Sequence, residues 1–331
     1  VCLCVNQLVG YLRYDTTLEK LKQATPIGFC SGMLPAVVLA CSDTTEEYIR
    51  LSGQIVRLAY WIGYRAAQLS QQLGREDWQA QPWALSVSGK EKAALEKDVD
   101  DFNEVVPESS QIRVASRFGK ASFSIVGPGH ALEEFRYQHI STPATAETVY
   151  VHALYHGGDK ALDTVNKVLD DVKGGDISFP PSMDMKRPIR SCHGASMVHG
   201  ATLPSTSLLE YTLRLILFDT ADLFSTWLSA VDDIASSDSD WEIITVGPGS
   251  NALLTSVSRE ISLPTGTAWI DIPGTFQGAD ASHADGFAIV GMSVDFPLGA
   301  GKDAFWRMIE DGLNAVEEVS CTDTAADSEV G

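Results

Sequence analysis

Positive charge is scarce in this chain. Its 331 residues carry 24 Lys and Arg against 44 Asp and Glu, a formal net charge of −20. That balance excludes bulk-charge binding to nucleic acid or to an anionic membrane. Long hydrophobic runs are also missing: the longest, Ile27 to Cys41, is too short to span a bilayer and is broken by Gly and Pro. The start, Val1-Cys2-Leu3-Cys4, has no basic n-region and no initiator Met, so it reads as the cut end of a longer chain and not as a signal peptide. Cysteine is sparse and scattered, at positions 2, 4, 30, 41, 192 and 321, without a C-x-x-C pair. Reduced thiols in a cytoplasmic protein are expected, with no metal site. What is present is an ordinary globular hydrophobic content of 44%, in a chain of 331 residues long enough for one large or two ordinary domains. Partners are expected among small molecules and proteins.

One stretch organises the rest. Gly28-Phe29-Cys30-Ser31-Gly32 has the form G-x-C-x-G, the thiol counterpart of the G-x-S-x-G nucleophile elbow, and an apolar helical run follows it. A sharp strand-to-helix turn calls for glycine on both sides of the nucleophile, because a Cβ there would clash with backbone. A helix starting near Ser31 would aim its free N–H groups and positive end at the Cys30 sulfur and favour thiolate. The plainer alternative is close helix packing through Gly-Cys-Gly.

Before the elbow, Asn6 to Lys22 reads as a helix; after it, Thr44-Thr45-Glu46-Glu47 reads as a capped start for a second helix through Leu69. Trp78 to Trp83 reads as a loop and Lys90 to Val105 as a charged surface helix. Arg113–Phe118 and Ala121–Val126 are short β-rich runs, and Gly127-Pro128-Gly129 turns into a helix at Ala131 to His139. Val149–Leu154 reads as another strand and Ala161–Val172 as another helix. The pattern predicts a ferredoxin-like subdomain, at about 112–175, inserted into a larger α/β body. Where that insert ends, Tyr155-His156-Gly157-Gly158 places a histidine just past a strand on backbone that can approach a substrate closely. His156 is a candidate base for Cys30; a satisfied structural histidine is the alternative.

The ordered combination of G-x-C-x-G, the strand pair ending in Gly127-Pro128-Gly129 with Leu132 and Phe135, Tyr155-His156 and Gly247-Pro248-Gly249-Ser250-Asn251 resembles the starter-unit acyl carrier protein transacylase domain of fungal non-reducing iterative polyketide synthases. That domain is related to the malonyl-CoA:carrier-protein transacylases. The resemblance covers roughly residues 5 to 275. It implies an α/β fold with an α/β-hydrolase-like body, acylation of Cys30 by acyl-CoA, and His156 as base and acid. It further implies the Ser31 N–H in the oxyanion hole and Gly28, Phe29, Tyr155 and Asn251 around the substrate. A backbone carbonyl within Val246 to Asn251 is expected to orient His156. No bound cofactor is implied: acyl-CoA is the substrate, and 4′-phosphopantetheine is carried by the acyl carrier protein partner.

Malonyl-selective relatives carry an arginine on the helix after the elbow helix. Here Tyr60 and Trp61 stand near the expected place and Arg57 is shifted, which favours an uncharged starter acyl group. The family's domain normally begins with a further strand that supplies a glutamine to the oxyanion hole. This chain starts after it, so an incomplete, weak site is expected.

The domain plan is a transacylase over 1–275, a linker over 276–285, the first residues of a ketosynthase over 286–320, and an acidic tail over 321–331. The ketosynthase and the remaining synthase domains of the parent chain are further expected partners. Lys186-Arg187-Pro188-Ile189-Arg190, three cations in an acidic chain, reads either as a grip for the phosphates of CoA or an acidic carrier surface, or as a solvated loop. Two rival functions remain at this point: a cysteine hydrolase or thioesterase, and a catalytically weak remnant acting as a docking module. In an α/β-hydrolase the histidine comes late, whereas here a long stretch follows His156.

Overall fold

The computed structural model describes residues 1–74, 81–175, 177–203, 207–236, 241–264, 267–272, 295–296 and 299–300. Residues 1–277 form one unit and 278–331 a second. In the second, the described residues are two short antiparallel strands, 295–296 and 299–300. The expected linker, ketosynthase opening and acidic tail otherwise lie outside the described residues.

Helix α1 (Cys2–Tyr14) is shorter than its apolar pattern suggests. The buried Asp15 carboxylate accepts the Leu21 N–H at 3.2 Å, so the side chain competes for backbone donors and turns the chain into a 3₁₀ segment, Lys20–Gln23. Strand β1 (Ile27–Gly28) then delivers the chain to a single 3₁₀ turn, Cys30–Gly32, and helix α2 (Met33–Cys41). Helix α2 is buried almost all round, as its apolar sequence requires. Helix α3 (Thr45–Leu73) starts on a reciprocal cap: Thr44 Oγ1 accepts the Glu47 N–H, while Glu47 Oε2 accepts the Asp43 N–H. Tyr48, Leu51, Ile55, Leu58, Ile62, Ala66 and Leu69 repeat at helical spacing and form its buried stripe.

Next comes β2 (Ala84–Ser88), α4 (Lys92–Val105), β3 (Arg113–Gly119), β4 (Ser122–Val126), α5 (Gly129–His139) and β5 (Thr145–Val149). These four strands lie in the order β5-β2-β4-β3, every neighbouring pair antiparallel. Their apolar face, with Leu85, Val87, Phe123 and Ile125, packs on Leu95, Val99 and Phe102 of α4 and Leu132 and Phe135 of α5 as a separate small core. This small layer spans residues 84–149, where the sequence pattern predicts an insert at about 112–175. The alternating Ala84-Leu85-Ser86-Val87-Ser88 is a half-buried strand hydrogen-bonded between β4 and β5. The strand expected at Val149–Leu154 ends at Val149. The helix expected at its far end, α6 (Leu162–Gly174), belongs to the larger core through Val165, Val168 and Val172. Arg65 of α3 fixes it there with paired bonds of 2.7 and 2.6 Å to the Asp171 carboxylate.

The body is completed by β6 (Ile189–Ser191), β7 (Met197–Val198), α7 (Leu208–Leu217), β8 (Ala221–Asp222), α8 (Leu223–Ala235), β9 (Glu242–Val246), α9 (Ser250–Ser258) and β10 (Ala268–Ile272). Strand β6 runs parallel to β1, and β10 parallel to β9. Residues 25–27 and 241–246 line one cavity of about 900 Å³ between these two short sheets. Strand β8 adds in parallel to the β3 edge of the smaller sheet, tying the two layers together.

Candidate active site

Cys30 stands at the turn between β1 and α2 in the left-handed region, φ +51°. A non-glycine residue there costs about 1–3 kcal/mol and persists because the flanking structure enforces it. Gly28 is part of that enforcement: a Cβ there would lie 2.5 Å from Met33 Cα and 2.8 Å from Gly32 O. Gly32 is different, contrary to the expectation of glycine on both sides. A Cβ there would meet Gln7 Nε2 alone, at 3.9 Å. Phe29 packs edge-on against Phe118 at 5.4 Å and lines the cavity beside Cys30 and Ser31.

His156 reaches Cys30 from the other side. Its backbone is also left-handed, φ +54°, and three successive N–H groups lock it onto the end of α7: His156 to Ile216 O, Gly157 to Leu217 O and Gly158 to Phe218 O, at 3.2, 2.7 and 3.1 Å. The imidazole is buried. Its Nδ1–H donates to the Asp219 carbonyl at 2.7 Å, which leaves Nε2 for the Cys30 thiol, with which it is hydrogen-bonded. The orienting carbonyl is thus Asp219, and not one within Val246 to Asn251.

The pair tunes itself. Burial pushes the Cys30 thiol up, but the facing His156 charge, its hydrogen bond and the Ser31 N–H outweigh it, and the thiol lies below its ordinary range. Burial pushes His156 down, yet the facing Cys30 and the Asp219 carbonyl raise it above the usual histidine value. By contrast, burial drives Cys4 up to about 11 and Cys41 and Cys192 up to about 12. Among these described thiols Cys30 is the one shifted toward thiolate.

Other expected residues divide. Tyr155 lies close enough to Cys30 to feel its charge, and burial with that charge pushes its phenol up to about 12. Its hydroxyl stands 3.9 Å from where a Gly63 Cβ would be, so α3 presents a glycine at that place. Arg57 instead donates to Gly175 O at 2.6 Å, and Tyr60 is 57% exposed; neither lines the Cys30 cavity. Asn251 Oδ1 accepts from Thr255 Oγ1 at 3.3 Å within α9, while Pro248, Gly249 and Ser250 line the cavity. Gly247 is required by Gln7, whose Cγ would lie 2.5 Å from a Cβ there. Gln7 itself lines the cavity with its Oε1 buried and unpartnered.

Two of the three cations in the cluster are held by partners within the protein. Arg187 is buried and donates to the carbonyls of Leu39 and Ser42 beside Asp43. Arg190 is buried against Ser229 and Asp233. Both guanidiniums fasten the body, and Lys186 alone is exposed. No helix among the described residues is long and apolar enough to cross a membrane, and these residues hold no group of three or more His, Cys, Asp or Glu that could bind a metal.

The family model described as starter unit:ACP transacylase in aflatoxin biosynthesis matches residues 1–156, a span that holds both Cys30 and His156. Orsellinic acid synthase armB of Armillaria mellea is 28% identical over 313 residues, 88% of this chain and 13% of its own. The orsellinic acid synthase of Beauveria bassiana is 26% identical over 340 residues, 96% of this chain and 15% of its own. The chain thus spans 13 to 15% of the length of these curated relatives. Among solved structures, the MCAT from Mycobacterium tuberculosis superposes with a TM-score of 0.57 at 14% identity, covering 81% of this chain and 75% of that one. A malonyl-transacylase in complex with a type II polyketide synthase acyl-carrier protein gives 0.55 at 13%, covering 82% and 77%. At such identities the shared feature is the fold. Residues 1–156 thus match the starter unit:ACP transacylase family model, in a chain similar along most of its length to fungal orsellinic acid synthases and sharing the fold of the transacylases above.

Proposed function

We propose that the protein loads a starter acyl group from acyl-CoA onto the phosphopantetheine thiol of an acyl carrier protein through an acyl-Cys30 intermediate. The observation that carries this reading is the pairing of the half-buried Cys30 with the buried His156, the thiol lowered and the imidazole raised. His156 takes the Cys30 proton and the thiolate attacks the acyl-CoA carbonyl. The tetrahedral oxyanion is met by the Ser31 N–H, which in the free protein points at the sulfur. Collapse expels the CoA thiolate, which takes the proton from His156. The carrier thiol then repeats the sequence in reverse. One thioester replaces another, so the site has to align two thiols and exclude water more than it has to lower a large barrier.

A glycine on α3 facing Tyr155, with Arg57 turned away, supports an uncharged starter. In the same reading the β2-α4-β3-β4-α5-β5 unit is the ferredoxin-like insert of an α/β-hydrolase-like transacylase in a cytoplasmic synthase. Residues 286–320 open a ketosynthase domain, and the other domains of that synthase are partners. The test separates transfer from hydrolysis: Cys30-bound acyl group should move to holo carrier protein and persist when the carrier is absent. Steady release of free acid without carrier would make the protein a thioesterase instead.

A further inference from the structure

Asp219 holds His156 through a main-chain carbonyl, so whatever holds that main chain controls the imidazole. Residues 218–220 lie between the end of α7 and β8 and belong to no helix or strand. A loop of this kind has no ladder of its own to keep it in place. Its anchor comes from the smaller layer. Arg113, the first residue of β3, donates through Nη1 to Phe218 O at 3.1 Å and through Nη2 to Thr220 Oγ1 at 2.8 Å. The two bonds bracket Asp219. Thr220 Oγ1 in turn donates to Val114 O at 3.3 Å, so the grip closes on β3 itself. Phe218 O also accepts the Gly158 N–H, which joins the clamp to the segment carrying His156. Gly158, at φ +61°, leaves room for the guanidinium: a Cβ there would stand 1.8 Å from Arg113 Nη1.

We infer that Arg113 is a positioning residue for His156, its guanidinium clamping the Phe218–Thr220 backbone whose Asp219 carbonyl fixes the imidazole against Cys30. This rests on His156 being the proton carrier of the proposed reaction. A planar fork with two donors suits the task, whereas a lysine offers one point of attachment at a time. The clamp also crosses from the smaller layer to the larger, so the geometry of the pair depends on how the two layers are docked.

The charged and titratable groups around the pair fix the sign of the test. His156 faces Cys30 from the elbow, Arg113 from β3 and the Asp219 segment from the end of α7; Cys30 also senses Tyr155 and Cys192, and Arg113 senses Asp159 and Asp219. If Arg113 acted only as a charge, its removal would favour imidazolium and lower the pH at which Cys30 reacts. If it positions His156, removal loosens the imidazole and the midpoint rises.

The experiment compares the wild-type protein with Arg113→Met and Arg113→Lys. It reads the pH dependence of Cys30 alkylation by iodoacetamide and, separately, acyl transfer kinetics. Arg113→Met should move the alkylation midpoint upward and lower kcat about 10- to 100-fold with the KM for acyl-CoA nearly unchanged. Arg113→Lys should recover part of both. An alkylation midpoint unchanged or lowered in either variant overturns the inference. If Arg113→Met does not fold, Arg113→Lys decides alone, and a wild-type midpoint and kcat in it count against the clamp. Absence of any acyl adduct on the wild-type protein would instead overturn the proposed function, while the alkylation midpoints still report on the clamp.

Discussion

Two residues with left-handed backbones face each other across the candidate site, and each is held by something other than its own side chain. Cys30 is held by the turn that Gly28 permits, and His156 by three N–H bonds to the end of α7. Cys30→Ala should abolish acyl loading while replacement of Cys2, Cys4, Cys41 or Cys192 leaves the site of loading unchanged, as read by peptide mass spectrometry. His156→Ala should slow transfer about 10²- to 10⁴-fold, the usual range for a general base. It also removes both the facing charge and the hydrogen bond, leaving burial as the dominant influence on Cys30. The alkylation midpoint of Cys30 should therefore rise with His156→Ala. Lowering the thiol and raising the imidazole both move the pair toward thiolate–imidazolium, so Cys30 alkylation should persist to lower pH than that of an ordinary thiol. Both residues were legible in the sequence, Cys30 from G-x-C-x-G and His156 from the glycines after it. Asp219 was not, because it acts through a carbonyl that any residue could supply. Arg113 was hidden for a related reason, since it acts on the main chain of a segment distant in sequence.

At the scale of elements, the elbow separates its two glycines. Gly28→Ala should destabilise the fold and depress loading, since Met33 backbone at 2.5 Å cannot yield cheaply; a cost of about 1–3 kcal/mol is expected. Gly32→Ala should fold normally, with its nearest neighbour the end of a glutamine side chain at 3.9 Å. Denaturant unfolding of the two variants checks the contrast, and equal losses would contradict it. The sequence pattern located the elbow, α3 with its cap, and the β3-β4 pair, where local spacing decides the structure. The edges of the small layer were less legible because they depend on partners. Ala84–Ser88 is a strand only because β4 and β5 lie on either side of it, and α6 belongs to the body only because α3 and α7 receive its apolar stripe. The cations of Lys186 to Arg190 were likewise ambiguous, since neither Asp43 nor Asp233 is near them in sequence.

Seen as a whole molecule, Cys30, His156, Asp219 and Arg113 all lie within the unit formed by residues 1–277, but they come from both of its layers. The strand β3 supplies Arg113, the body supplies the elbow and α7, and β8 pairs with β3 just after Asp219. The candidate site is thus a product of the docking of the two layers, which no local pattern encodes. Its central claim is that an acyl group rests on Cys30. The most direct measurement is to incubate the protein with uncharged acyl-CoAs, trap it in acid, and map the adduct by peptide mass spectrometry. The account predicts an acyl mass on the peptide bearing Cys30, absent from Cys30→Ala and released by holo carrier protein. An adduct that persists in Cys30→Ala, or no adduct with any acyl-CoA tested, would contradict it.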